Sequence, residues 1–350
     1  MHIALIHYRL LRKGGLETRL YNYAAELRRR GHAVTLVCAR IDPDAPPLPM
    51  GVEVLPLPPG WTPKPLRQTV FARQVRLLLD RQTFDFVLSL GRSASPDAVL
   101  APANHRGYLR AMGRRARSLS DYLQDRLDVL AYRQARVILA ASEMMRQELT
   151  ELYGVPAAKI AVLYPPLDTE RFHSGQPRVS LRQRWGMVPD RRAFVFVSTS
   201  HHRKGLDRLL AVFEALRGEP VDLYIAGDPV RRALPAQVHA LGYVDAELPA
   251  LYAAADATLL PARYEPFGQV VSESLQCGTP VIVSTQCGAA ELVGADTGLV
   301  LPGDDLAAWR EAVRAFDPAA YSIAPDWGVR QGLDTAAHLD RMLAHARMMG

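Results

Sequence analysis

The chain has few of the features that mark a secreted, membrane-spanning or nucleic-acid-binding protein. Its three cysteines, Cys38, Cys277 and Cys287, are an odd number without close Cys/His spacing, which argues against a disulfide framework and a structural zinc site. No apolar run approaches the roughly 20 residues needed to cross a bilayer. The opening stretch Met1 to Arg9 is too short and lacks a small-residue cleavage site, so it reads as a first strand, and a cytoplasmic location is expected. Aromatics make up 7% of the residues and do not interleave with the arginines, and no nucleic-acid module is visible, so no nucleic-acid partner is expected. Internal repeats are absent. The triplet Asp42-Pro43-Asp44 lies in the proline-rich stretch Pro43 to Pro65, where aspartate serves turn chemistry, and it is not read as a metal site.

What is present is an ordinary globular composition, 49% apolar and 22% charged, over 350 residues. That length calls for two domains of about 170 residues each. The net charge of +6 is uneven. Residues 1–178 carry 26 Lys and Arg against 16 Asp and Glu, and the remainder 16 against 20. Short aliphatic runs alternate with longer amphipathic stretches throughout, the pattern of parallel α/β layers. Strands are expected at Ile3–Tyr8, Ala33–Ala39, Val52–Leu57, Phe84–Leu90, Ala98–Ala103, Val137–Ala141 and Ile160–Leu163. After a polar segment the pattern restarts with strands at Phe194–Ser198, Val221–Ala226, Val238–Val244, Thr258–Pro261 and Val281–Ser284. Helices are expected over Gly205–Leu216, Glu247–Ala255 and Gly268–Gln276. The expected division is a first domain over 1–168, a linker over 169–192 and a second domain over 193–350, whose last helix can pack back on the first.

The chemistry concentrates in Arg263-Tyr264-Glu265-Pro266-Phe267-Gly268-Gln269, followed by Glu273 and by Cys277-Gly278-Thr279-Pro280-Val281. One carboxylate precedes a helix and a second lies about two turns inside it. A helix start favours anions through its free N–H groups and dipole, and carboxylates accept paired hydrogen bonds from vicinal hydroxyls. A second segment, Ser198 to Asp207, follows a strand, opens a helix and carries Arg203 and Lys204. Cations that persist at neutral pH suit a diphosphate.

Together these segments resemble the signature of the retaining GT-B glycosyltransferases of group 1. The adjacent Arg203-Lys204-Gly205 is similar to the lipopolysaccharide core glucosyltransferases, whereas most of the family carries an arginine about five residues before the lysine, where this chain has Thr199. The resemblance implies an α/β GT-B fold, two facing Rossmann-like domains with a cleft between them. It implies that Arg203 and Lys204 clamp the leaving diphosphate and that Glu265 contacts the donor sugar. Glu273 would then bind the ribose hydroxyls, with backbone near Phe267, Gly268 and Gln269 facing the sugar. Weaker family positions are Gly14 and Gly15 in a glycine loop, Tyr243 and Val244 at the nucleobase, Glu291 near the cleft, and His105 facing the sugar as a catalytic candidate.

The implied reaction moves a hexose or heptose from a nucleoside-diphosphate sugar, UDP-glucose first, to a hydroxyl of a glycan or lipid-linked acceptor with retention. The departing phosphate takes the acceptor proton. No cofactor or metal is expected beyond the donor itself. Alternatives are a GT-B nucleotide-sugar epimerase or a catalytically silent nucleotide-sugar-binding subunit. The arginine-rich stretch from Arg106 to Arg136, with apolar residues between the charges, is a candidate contact with anionic membrane at its inner face.

Overall fold

The computed structural model describes residues 1–11, 15–93, 95–101 and 103–348, with side chains up to residue 345. It divides into two units, one of Met1–Pro166 with Thr335–Gly350 and one of Leu167–Asp334.

In the first unit seven strands form one sheet: His2–Ile6 (β1), Ala33–Cys38 (β2), Val52–Pro56 (β3), Phe86–Ser89 (β4), Ala98–Ala101 (β5), Val137–Ala140 (β6) and Ile160–Val162 (β7). Their order is β3-β2-β1-β4-β5-β6-β7, and every neighbouring pair is parallel. Parallel sheets are covered on both faces, which is why β1 reads as continuous aliphatic residues rather than alternating ones. Ile3 and Leu5 point to one face, where they meet Leu20, Tyr23, Ala24 and Leu27 of helix Gly15–Arg29 (α1) and Leu339, Met342 and Leu343 of the C-terminal helix. Ala4 and Ile6 point to the other, against Phe71 and Val75 of helix Arg67–Leu79 (α2). Each such leucine or phenylalanine contributes about 1.5–3 kcal/mol through burial.

The remaining helices of this unit are His105–Ala111 (α3), Leu119–Gln134 (α4) and Glu143–Tyr153 (α5). Ser142 caps α5 by accepting from the Met145 N–H, and Gly154 ends it in the left-handed conformation at φ 63°. Both signals stand in the sequence.

The second unit repeats the plan with six parallel strands. Helix Arg178–Arg184 (α6) precedes them, so residues 169–192, expected as a linker, belong to this unit. Arg178 and Arg182 both pair with the buried Asp256, whose Oδ2 also accepts the Ala193 N–H at 2.7 Å. Leu181 and Met187 supply buried contacts in a stretch whose overall polarity suggests few. The strands are Arg192–Ser198 (β8), Val221–Gly227 (β9), Val238–Gly242 (β10), Ala257–Leu260 (β11), Val281–Ser284 (β12) and Gly298–Leu301 (β13), in the order β10-β9-β8-β11-β12-β13. β13 was not expected, and β10 stops at Gly242 rather than Val244 because Gly242 turns left-handed at φ 70°.

The helices that matter for the site are the short His201–Lys204 (α7), Leu206–Ala215 (α8), Leu248–Ala254 (α9) and Gln269–Gln276 (α10). Gly205 joins α7 to α8 at φ 86°. A Cβ there would lie 2.1 Å from the carbonyl oxygen of Pro261. Only glycine lets the segment after β8 approach the segment after β11 so closely.

Candidate active site

Each sheet reverses its strand order once, between β1 and β4 in the first unit and between β8 and β11 in the second. In open parallel sheets ligands bind beyond the carboxyl ends of the strands at that reversal. The second reversal gathers the charged residues that the sequence singles out. β8 leads into Arg203 and Lys204, and β11 leads into Arg263 to Gly268.

Arg203 Nη1 donates to the Tyr264 carbonyl at 2.8 Å and to Glu265 Oε2 at 3.0 Å. Lys204 Nζ stands 3.8 Å from the same carboxylate oxygen and donates to the Val197 carbonyl at 3.3 Å. Two cations thus share one carboxylate, with side-chain exposures of 26% for Arg203, 12% for Lys204 and 11% for Glu265. Charges withdrawn this far from water interact strongly with any anion that reaches them.

The two segments are also tied through backbone, since the Arg263 N–H donates to the Arg203 carbonyl at 2.8 Å. Arg263 fixes the outer edge with paired bonds of 2.7 and 2.6 Å to Asp207, whose carboxyl that arginine holds below its ordinary range.

Glu265 is held in extended pairing with the segment after β12. Its N–H donates to the Gln286 carbonyl at 2.9 Å, and its carbonyl accepts from the Gly288 N–H at 2.9 Å. Gly268, at φ 97°, caps α10, and a Cβ on it would lie 2.8 Å from Cys287 Sγ and 3.2 Å from Glu265 Cγ. Phe267 is buried, and its carbonyl accepts from the Ala289 N–H at 2.7 Å and from Cys287 Sγ at 2.9 Å. Burial pushes that thiol up to about 12, so it stays protonated and structural. Gln269 opens α10, whose first N–H groups have no partner within the helix.

Glu273 lies one turn from the end of α10, half-buried, with Oε2 accepting from the Tyr252 hydroxyl at 3.0 Å. Burial raises its pKa, and the Tyr252 hydrogen bond, Lys204 and Arg171 oppose that rise. Sequence reasoning missed Tyr252 and Arg171. Tyr252 looks like an ordinary buried aromatic of α9, and Arg171 falls in the stretch expected as a linker.

Tyr243 sits just beyond β10, at the same end of the sheet, and its hydroxyl donates to Asp228 Oδ1. Val244 follows it and accepts from the Glu247 N–H at 2.7 Å, outside any strand. His201 Nε2 binds the Asp228 carbonyl at 2.8 Å, which links the segments after β8 and β9. Glu291 is exposed on a 3-10 turn, Gly288–Leu292.

Residues 13–171 match the family described as Glycosyltransferase Family 4, and residues 191–316 match that described as Glycosyl transferases group 1. A Burkholderia thailandensis protein named a probable transglycosylase is 33% identical over 340 residues, covering 94% of this chain and 92% of its own. The chain belongs to the group 1 glycosyltransferases. Its two Rossmann-like halves are those of the GT-B fold. WaaG, a glycosyltransferase involved in lipopolysaccharide biosynthesis, superposes with a TM-score of 0.72 at 19% identity over 99% of this chain and 94% of that one. HepE of Anabaena, solved with UDP-glucose, gives 0.72 at 18% identity over 98% of each chain.

In this glycosyltransferase the first unit carries the remaining residues singled out in the sequence. Gly14 lies outside the described residues, and Gly15 is the first residue of α1, beyond the carboxyl end of β1. His105, expected to face the sugar, is only 5% exposed. Its Nε2 is 3.1 Å from Asp121 Oδ1 and its backbone N–H donates to Asp128 Oδ2 at 2.8 Å. The Ser118 hydroxyl and the backbone N–H groups of Arg117 and Ser118 all donate to Asp121 Oδ2 and hold that carboxyl below its ordinary range. Asp42 of the proline-rich stretch pairs with Arg40 at 3.0 Å. Among the described residues no group of three or more His, Cys, Asp or Glu assembles as a metal site.

Proposed function

We propose that the chain transfers a hexose or heptose, glucose from UDP-glucose first, to a hydroxyl of a glycan or lipid-linked acceptor, with retention and without a metal ion. The single observation that carries this reading is the pair Arg203 and Lys204 on one carboxylate oxygen of Glu265, at the strand reversal of the second sheet. In the reaction the acceptor oxygen bonds to the anomeric carbon as the bond to the diphosphate oxygen breaks, and the acceptor proton passes to the departing phosphate. Negative charge grows on the leaving group, and Arg203 and Lys204 stabilise it there, which is the role a divalent ion would otherwise fill. Glu265 contacts the sugar hydroxyls, Glu273 the ribose, the start of α10 the phosphates, and the backbone at Tyr243 and Val244 the base. The donor preference draws support from the UDP-glucose bound to HepE.

The test is turnover of UDP-, GDP- and ADP-sugars with and without EDTA, with the anomeric configuration of the product read by NMR. Retained configuration and EDTA-insensitive transfer are expected. An inverted product, or turnover abolished by EDTA and restored by a divalent ion, contradicts the reading. Product from donor alone, without acceptor, points to an epimerase.

A second reading concerns the membrane. Leu119, Tyr122, Arg126, Leu130 and Arg133 recur at spacings that put them on one face of α4, and all five are exposed. Arg114, Arg115 and Arg117 extend the basic surface toward its start. Such a stripe suits the inner face of an anionic bilayer. By contrast Arg106 is spent on Asp125 and Arg110 on Glu148 and Glu151. No helix among the described residues is long and apolar enough to cross a membrane. Sedimentation with vesicles should rise with anionic lipid and fall with salt, and binding indifferent to both contradicts this contact.

A further inference from the structure

We propose that Tyr252 is a positioning residue for donor recognition: its hydroxyl fixes one oxygen of Glu273 so that the other is presented to the ribose. This inference rests on reading Glu273 as the ribose carboxylate.

Tyr252 is fully buried on α9, and its hydroxyl donates to Glu273 Oε2 at 3.0 Å. Among the described residues no hydrogen bond reaches Glu273 Oε1. An ionised carboxylate has about four acceptor positions, so a carboxylate with one pinned oxygen and one open oxygen is both oriented and unsatisfied. The tyrosine is itself held. Its carbonyl accepts from Thr279 Oγ1 at 2.7 Å, and its ring packs on Phe172 with centroids 6.3 Å apart. Phe172 carries the Arg171 guanidinium 5.0 Å above its ring, and Arg171 Nη2 donates to the Asp245 carbonyl at 2.7 Å. Arg171 and Lys204 both favour the charged form of Glu273. The Thr279 of the Gly-Thr-Pro segment therefore acts through Tyr252 on the carboxylate, which gives that part of the signature a task beyond ending α10. A flexible glutamate would lose rotamer freedom when it bound a ribose, and a glutamate already fixed avoids that loss.

The experiment measures dissociation constants by calorimetry for UDP, GDP and ADP against their 2′-deoxy counterparts. The proteins are the wild type, Tyr252→Phe, Glu273→Ala and the double variant, with the unliganded melting temperature of each recorded. For the nucleotide that binds, the wild type should prefer the ribose form by about tenfold or more, the discrimination expected of a hydrogen bond to a charged group. Glu273→Ala should abolish the preference. Tyr252→Phe should cut it to about threefold or less while leaving affinity for the deoxy form unchanged, and the double variant should match Glu273→Ala. If Tyr252→Phe does not fold, Thr279→Val should show a smaller loss of the same preference. A wild-type preference retained in Tyr252→Phe, or in Thr279→Val where that variant stands in, but lost in Glu273→Ala overturns the positioning role alone. A preference retained in Glu273→Ala, absent in the wild type, or no binding of any of the three diphosphates, overturns the ribose reading with it.

Discussion

The two units share one fold plan, and one cluster of buried charges in each uses its hydrogen-bonding capacity in the opposite way. In the first, Asp128 accepts from Arg92 at 2.6 Å, from Tyr153 at 3.0 Å and from the His105 backbone at 2.8 Å, and Asp121 is capped by Ser118 and His105. Both of these carboxylates meet donors from the same unit. In the second, Arg203 and Lys204 crowd one oxygen of Glu265, while Glu273 keeps an oxygen without a partner among the described residues. A closed network stabilises a fold, and an open one is ready for a ligand. The same residue types therefore mean different things, and the difference lies in whether their hydrogen-bonding capacity is used up.

Substitutions should separate the two. Asp128→Ala strands Arg92 and two further donors in a buried site, and a loss of about 3–5 kcal/mol in unfolding free energy is expected by urea denaturation. The folded fraction should keep its turnover number. Lys204→Ala should do the reverse, lowering kcat by about 10²–10³-fold, as loss of one electrostatic stabiliser typically does, with the melting temperature little changed. If Lys204→Ala unfolds the protein and leaves turnover per folded molecule intact, the contrast collapses.

A smaller effect should mix both outcomes. Gly268→Ala forces a side chain into a left-handed position and against Cys287 Sγ, so a loss of about 1–3 kcal/mol in stability should accompany weaker donor binding. The gentlest test is pH. His338 is fully buried, its Nδ1 on the Tyr164 carbonyl and its Nε2 on Tyr23, and burial with nearby Arg19 and Arg341 lowers its pKa from 6.5 to about 3. The unfolded chain therefore binds a proton in that window that the folded chain refuses, and stability should fall as pH drops from about 6.5 toward about 3. The slope from one group is at most about 1.4 kcal/mol per pH unit, and His338→Gln should flatten it in denaturation curves taken across the range.

Much of this was legible in the sequence because it is local. The expected strands of both halves, the Ser142 cap, the Gly154 stop and the Glu265 to Gly268 turn are set by residues close together in the chain. What stayed hidden depends on distant partners. His105 meets Asp121 and Asp128 from 16 and 23 residues away, and Tyr252 gains meaning only where α9 packs against Glu273. The stretch 169–192 read as a linker because its buried residues are few and its arginines find Asp256 more than 70 residues away.

The most direct measurement is hydrogen exchange by mass spectrometry with and without whichever of UDP, GDP or ADP raises the melting temperature most. Slowed exchange is predicted in peptides covering 198–205 and 263–273, with the slowing lost in Lys204→Ala. Unchanged exchange in both segments while the nucleotide is bound would contradict the assignment of this cluster as the donor site.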